Sequence, residues 1–97
     1  MATYIILATW TEQGIRDVKD SGARYDAFKE LLRERGGEAR ETFMTMGGYD
    51  IVAVCDAPSD EVMAEVLLHV AKGGYLRTTT LKAFDEATYR RITAAVG

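Results

Sequence analysis

The chain has 97 residues, 47% of them hydrophobic, and a formal net charge of −3 from 15 acidic and 12 basic side chains. This is the size of one domain, expected to span residues 1–97, with enough apolar content for a core but so short that association would help to bury its surface. The charges are mixed, with no basic stripe, so nucleic acid is not an expected partner. The single cysteine, Cys55, excludes an internal disulfide and a thiolate pair for zinc. No apolar run approaches the ~20 residues of a membrane span, and residues 4–8 are too short for a secretory core, so the expected compartment is the cytoplasm with no membrane partner.

Residues 3–9 (TYIILAT) are β-branched and aromatic and read as a first strand. Thr11-Glu12-Gln13-Gly14 breaks it, and residues 15–19 read as a short helical turn. Asp20-Ser21 is an N-cap signal for a helix over residues 22–35, whose Tyr25, Phe28, Leu31 and Leu32 have helical spacing. Gly36-Gly37 stops that helix, with Arg33 and Arg35 favourably placed in its last turn. A second strand over residues 38–45 is followed by Met46-Gly47-Gly48-Tyr49-Asp50, where paired glycines permit a reversal with positive φ. The third strand covers residues 50–56. Cys55 lies in its apolar run and reads as a small core residue, with no cation nearby to activate its thiol.

Pro58-Ser59-Asp60 ends that strand and opens a helix, Ser59 capping it and Asp60 and Glu61 lying in its positive first turn. This helix carries Val62, Met63, Val66, Leu67 and Val70 on one face, and Gly73-Gly74 stops it. A fourth strand over residues 75–84 and a final helix over residues 86–95, anchored by Tyr89 and Ile92, complete the chain.

The order strand–helix–strand, glycine turn, strand–helix–strand is the ferredoxin-like βαββαβ plan: α+β, a four-stranded antiparallel sheet with both long helices on one face, here with a short C-terminal helix added. Alternation sends Tyr4, Ile6, Ala8 and Trp10 to one face and Ile5, Leu7 and Thr9 to the other, and likewise separates Val52 and Val54 from Ile51, Ala53 and Cys55. Both faces are apolar although the helices cover only one. The economical cover for the second is the same face of another copy, which predicts a homodimer or a higher homo-oligomer.

With these elements in place, four segments carry a resemblance. Tyr4 to Trp10, Thr11-x-Gln13-Gly14-Ile15, Gly48-Tyr49-Asp50 and Arg77-Thr78-x-Thr80-Leu81 occur in order over nearly the whole chain and resemble the GYD-domain family. The resemblance implies the dimeric α/β-barrel form of the ferredoxin-like plan and no defined activity. Gly22 follows Ser21 where proline is common in such proteins, which implies a first helix more prone to fray. The Gly47-Gly48-Tyr49-Asp50 turn is also similar in pattern and position to one in the ligand-sensing domain of Lrp/AsnC-type regulators, whose ligands bind between subunits.

The candidate ligand-binding residues are Gln13, Tyr49, Asp50, Arg77 and Thr80. Asp50 can accept hydrogen bonds from a ligand or from its own turn. Gln13, with Thr11, Gly14 and Arg16, offers donors at a helix start, and Arg77 and Thr80 lie on opposite faces of the last strand. Trp10, Phe43, Met44, Met46, Met63 and Tyr75 read as core or subunit interface. His69, the one histidine, lacks the company a metal or haem site needs, so no metal and no cofactor is expected. The leading expectation is a small oligomeric module that binds a polar or amphipathic metabolite at a cleft near the subunit interface. A cofactor-free isomerase or monooxygenase is the alternative, recognisable by a closed apolar pocket around an isolated Tyr49 or His69. A purely structural assembly subunit is the third.

Overall fold

The computed structural model describes all 97 residues. The elements are β1 (Ala2–Trp10), α1 (Glu12–Arg16), a 3-10 turn (Val18–Asp20), α2 (Ser21–Glu34), β2 (Glu38–Met44), β3 (Ile51–Ala57), α3 (Asp60–Lys72), β4 (Leu76–Ala83) and α4 (Glu86–Val96). The strands form one antiparallel sheet in the order β2-β3-β1-β4. This is the ferredoxin-like arrangement expected from the hydrophobic pattern, with the strands and longer helices moved by one or two residues; the short helix expected over residues 15–19 instead starts at Glu12, because the Thr11 hydroxyl caps it by accepting from Gly14 N.

The alternation along β1 and β3 divides the sheet as expected. Tyr4, Ile6, Ala53, Cys55 and Ala57 are buried under the helices. Leu32 of α2 and Met63 and Val66 of α3 complete that core, none more than 2% exposed. The small side chains of β3 let these larger helical residues approach the sheet closely, which suits dense packing. Cys55 is fully buried. Burial pushes its thiol up to about 11, with Asp56 adding to the shift and Arg40 opposing it. It is therefore a core residue and a poor nucleophile.

Local signals account for most helix ends. The Ser59 hydroxyl accepts from Val62 N at 3.2 Å and starts α3. The α4 N-cap is Asp85, whose carboxylate accepts from Thr88 N at 2.8 Å and is held below its usual range by bonds from Thr88. Gly36 and Gly74, at φ of 88° and 80°, follow the two long helices, where positive φ closes the last turn.

Two expectations are corrected. Asp20 occupies the N-cap position of α2 but its side chain makes no capping bond, because the preceding 3-10 turn leads directly into the helix. Tyr89 and Ile92 do not anchor the last helix: they are 58% and 46% exposed, and no other element packs extensively against α4. Amphipathic spacing there marks a surface without a partner in the single chain.

The open side of the sheet is likewise uncovered. Ile5, Leu7, Val52 and Val54 form its half-buried centre, flanked by exposed Phe43 and Leu81. The accessible surface is 6541 Å² for a mass of 10.7 kDa. A compact monomer of that mass exposes about 5,500 Å², so roughly 1,000 Å² is in excess. The radius of gyration is 14.6 Å, against about 12.5 Å for a compact chain of this length. The single chain is thus more extended and less buried than its size requires.

Candidate functional site

The glycine turn is built into the sheet through its Asp. Thr45 N donates to Asp50 O at 2.8 Å and closes the loop, while Thr45 Oγ1 donates to Tyr49 O at 2.6 Å. Asp50 N donates to Ala8 O at 2.9 Å, and Asp50 Oδ2 accepts from Trp10 N at 3.0 Å. Asp50 therefore satisfies a backbone donor of β1 just where regular pairing with β3 ends, as an Asp in a turn commonly does. The turn is broader than a two-residue hairpin: Gly47 has φ of 129°, whereas Gly48 does not need positive φ. Tyr49 is 40% exposed at its tip.

On the opposite side of the same β1 end, Thr11 caps α1, its hydroxyl accepting from Gly14 N at 3.0 Å and donating to Gly74 O at 2.7 Å. Thr11 N donates to Tyr75 O at 3.0 Å. Gly14 is buried against the same carbonyl, and a Cβ there would stand 2.1 Å from Tyr75 O. Glycine is needed at this position for close backbone approach.

These contacts locate the sequence-derived candidates. Gln13, Tyr49, Asp50 and Arg77 surround the C-terminal end of β1, Arg77 pairing with Thr9. Thr80 is apart from them: it pairs with Ile6 in mid-sheet and points under the helices, where its Oγ1 is buried without a hydrogen-bond partner. Gln13 and Arg77 are exposed, whereas the Asp50 carboxylate is engaged by the backbone. His69 is exposed near the end of α3, where it borders a cavity between helices and sheet whose lining does not include Tyr49. No three His, Cys, Asp or Glu side chains gather as a metal site.

Sequence reasoning missed one polar cluster. The buried Tyr4 hydroxyl donates to Asp60, which also receives Lys82 Nζ at 3.0 Å. Burial first, and then the Asp60 carboxylate, push Tyr4 up to about 12, while the Tyr4 bond and Lys82 hold Asp60 below its usual range. The signal available was Lys82, a charge on the apolar-facing phase of β4. On the other side of the sheet, at an edge of the open face, Arg40 Nε meets Asp56 Oδ2 at 2.9 Å and Thr3 Oγ1 donates to Asp56 Oδ1 at 2.8 Å. Arg40, Asp56 and Thr3 give the apolar centre of the open face a polar margin on that side, as protein interfaces have at their rims.

The model of the GYD domain matches residues 4–93. The chain belongs to the GYD-domain family. It is also similar to a protein of Thermus thermophilus named glutamine synthetase and cystathionine beta-lyase binding protein, at 33% identity over 88 residues, 90% of this chain and 93% of that protein. No helix is long and apolar enough to cross a membrane.

Proposed function

We propose that this GYD protein is a cytoplasmic binding module that pairs with a second copy through its open sheet face and docks onto a protein partner through α4. The observation that carries the reading is the uncovered apolar surface on one small chain. Ile5, Leu7, Val52 and Val54 lie open on the sheet, and Phe84, Tyr89, Ile92 and Val96 lie exposed in and before α4. The excess of roughly 1,000 Å² over a compact monomer is comparable with the ~800 Å² that each partner contributes to a standard interface. Back-to-back pairing of two such sheets is the dimeric α/β-barrel form of the fold. Docking on proteins is supported by the name of the Thermus relative, and glutamine synthetase and cystathionine beta-lyase are the first partners to test. At the end of β1, Gln13, Tyr49 and Arg77 are exposed around Asp50. That placement favours a narrower second reading, in which a polar metabolite binds there; Thr80, buried in mid-sheet on the covered face, is set apart from such a site.

The test immobilises the protein and measures association of the host's own glutamine synthetase and cystathionine beta-lyase by interferometry, with native mass spectrometry of the same samples. The reading expects saturable binding of at least one enzyme, abolished by Ile92→Glu while the oligomer persists. Binding of neither enzyme, or binding indifferent to α4, contradicts it. For the narrower reading, Asp50→Ala that folds normally should weaken a co-purified ligand, and unchanged affinity counts against it.

A further inference from the structure

On the covered side of the sheet, a cavity of about 280 Å³ lies between α2, α3 and the Ala8, Ile51 and Leu76 end of the strands. Ala8, Ala27 and Gly73 contribute little side-chain volume to its lining. Phe28, Leu31 and Val70 make its walls apolar. One charged residue breaks that pattern. Arg24 precedes Phe28 by four positions and Leu31 by seven, so it stands on the apolar stripe of α2.

The Arg24 guanidinium is held in place. Its Nη1 donates to Asp17 O at 3.2 Å, and its Cζ lies 4.1 Å from the centroid of the Tyr75 ring. Its Nη2 is buried and has no acceptor. Arg16, Arg33, Arg35, Arg40 and Arg90 each pair with a carboxylate, but Arg24 has none. A charged donor without an acceptor is costly, and an anion removes the cost once the guanidinium turns from the Tyr75 ring toward the cavity, since Nη2 is closed off where it stands. Ser21, also on the lining, accepts from Trp10 Nε1 at 3.2 Å and keeps its own proton to donate.

We infer that the cavity binds a small carboxylic acid with an apolar body, the carboxylate on Arg24 and the hydrocarbon part against Phe28, Leu31 and Val70. The guanidinium fork matches a carboxylate. The volume lies at the lower end of ligand sites, which begin at about 300 Å³, so the body is one ring or a short branched chain. Arg24 is the one guanidinium on a lining that is otherwise mostly apolar, which suits a small monoanion with a hydrocarbon body. The cavity and the open face lie on opposite sides of the sheet, so this inference and the docking reading succeed or fail separately.

The chain has one tryptophan, Trp10, hydrogen-bonded to the lining, and it serves as the reporter. Phenylacetate, isovalerate and the neutral phenylacetamide are titrated into the full chain by Trp fluorescence and calorimetry. Saturable binding of an acid is expected, with the amide weaker by at least about tenfold, the factor for losing one charged hydrogen bond. Arg24→Gln should lose the same factor. Val70→Phe, which fills the cavity and leaves Arg24 in place, should abolish binding in a protein whose circular dichroism is unchanged. Equal binding of acid and amide, acid binding that survives Val70→Phe, or no saturation by either acid at millimolar concentration overturns the inference.

Discussion

The two faces of this sheet are written by alternate residues of the same strands, yet they meet different fates. Tyr4, Ile6 and Ala8 are 4–5% exposed under α2 and α3, whereas their neighbours Ile5, Leu7 and Thr9 remain half-buried with no helix above them. Apolar alternation therefore specifies two cores, and a single copy builds only one of them. The covered face holds the fold together; the open face is the apolar surface on which the proposed pairing with a second copy rests.

The sharpest way to break this contrast is to remove one large side chain from each face. Leu32→Ala on the covered side should cost about 2–5 kcal/mol in chemical denaturation, because Leu32 is fully buried. Val54→Ala on the open side should change the stability of the separated chain by well under half of that, and equal losses would erase the distinction. Next comes the end of β1. Gly14→Ala places a Cβ 2.1 Å from Tyr75 O and should cost about 1–3 kcal/mol through forced backbone movement, while Gly48→Ala, which meets open space, should be nearly neutral. Asp50→Ala removes the acceptor of Trp10 N and should cost about 1–3 kcal/mol, with Asp50→Asn recovering part of it.

The smallest effect appears only in alkali. The unfolded chain ionises Tyr4 near its ordinary 10, the folded chain near 12, since burial and Asp60 favour the neutral phenol. Its contribution is therefore complete below pH 10 and lost as the pH rises toward 12. A pH series of melting temperatures should show a decline in that window that Tyr4→Phe reduces; an identical decline in the variant would remove Tyr4 from the account.

Much of the fold was legible because it rests on local and periodic signals: alternation in β1 and β3, the Ser59 cap, and glycine pairs after the helices. The site was less so, for physical reasons. Asp50 reads as a turn residue, but its partner Trp10 N lies 40 positions away and emerges only when β1 and β3 pair. Tyr89 and Ile92 have the spacing of core anchors, and spacing alone does not say whether the core they face belongs to the same chain. Arg24 carried a readable signal, a charge on the apolar stripe of α2, yet its meaning depends on Tyr75 and Val70 from other elements. Lys82 left a similar trace beside Tyr4 and Asp60.

The central claim is that the open face is closed by a second copy, and sedimentation equilibrium tests it most directly. The wild-type protein at micromolar concentration should sediment as a dimer or a multiple of one. Val52→Lys, which puts a charge at the centre of that face, should sediment as a folded monomer. A wild-type protein that is monomeric at that concentration, or an oligomer that the lysine leaves intact, would contradict the account.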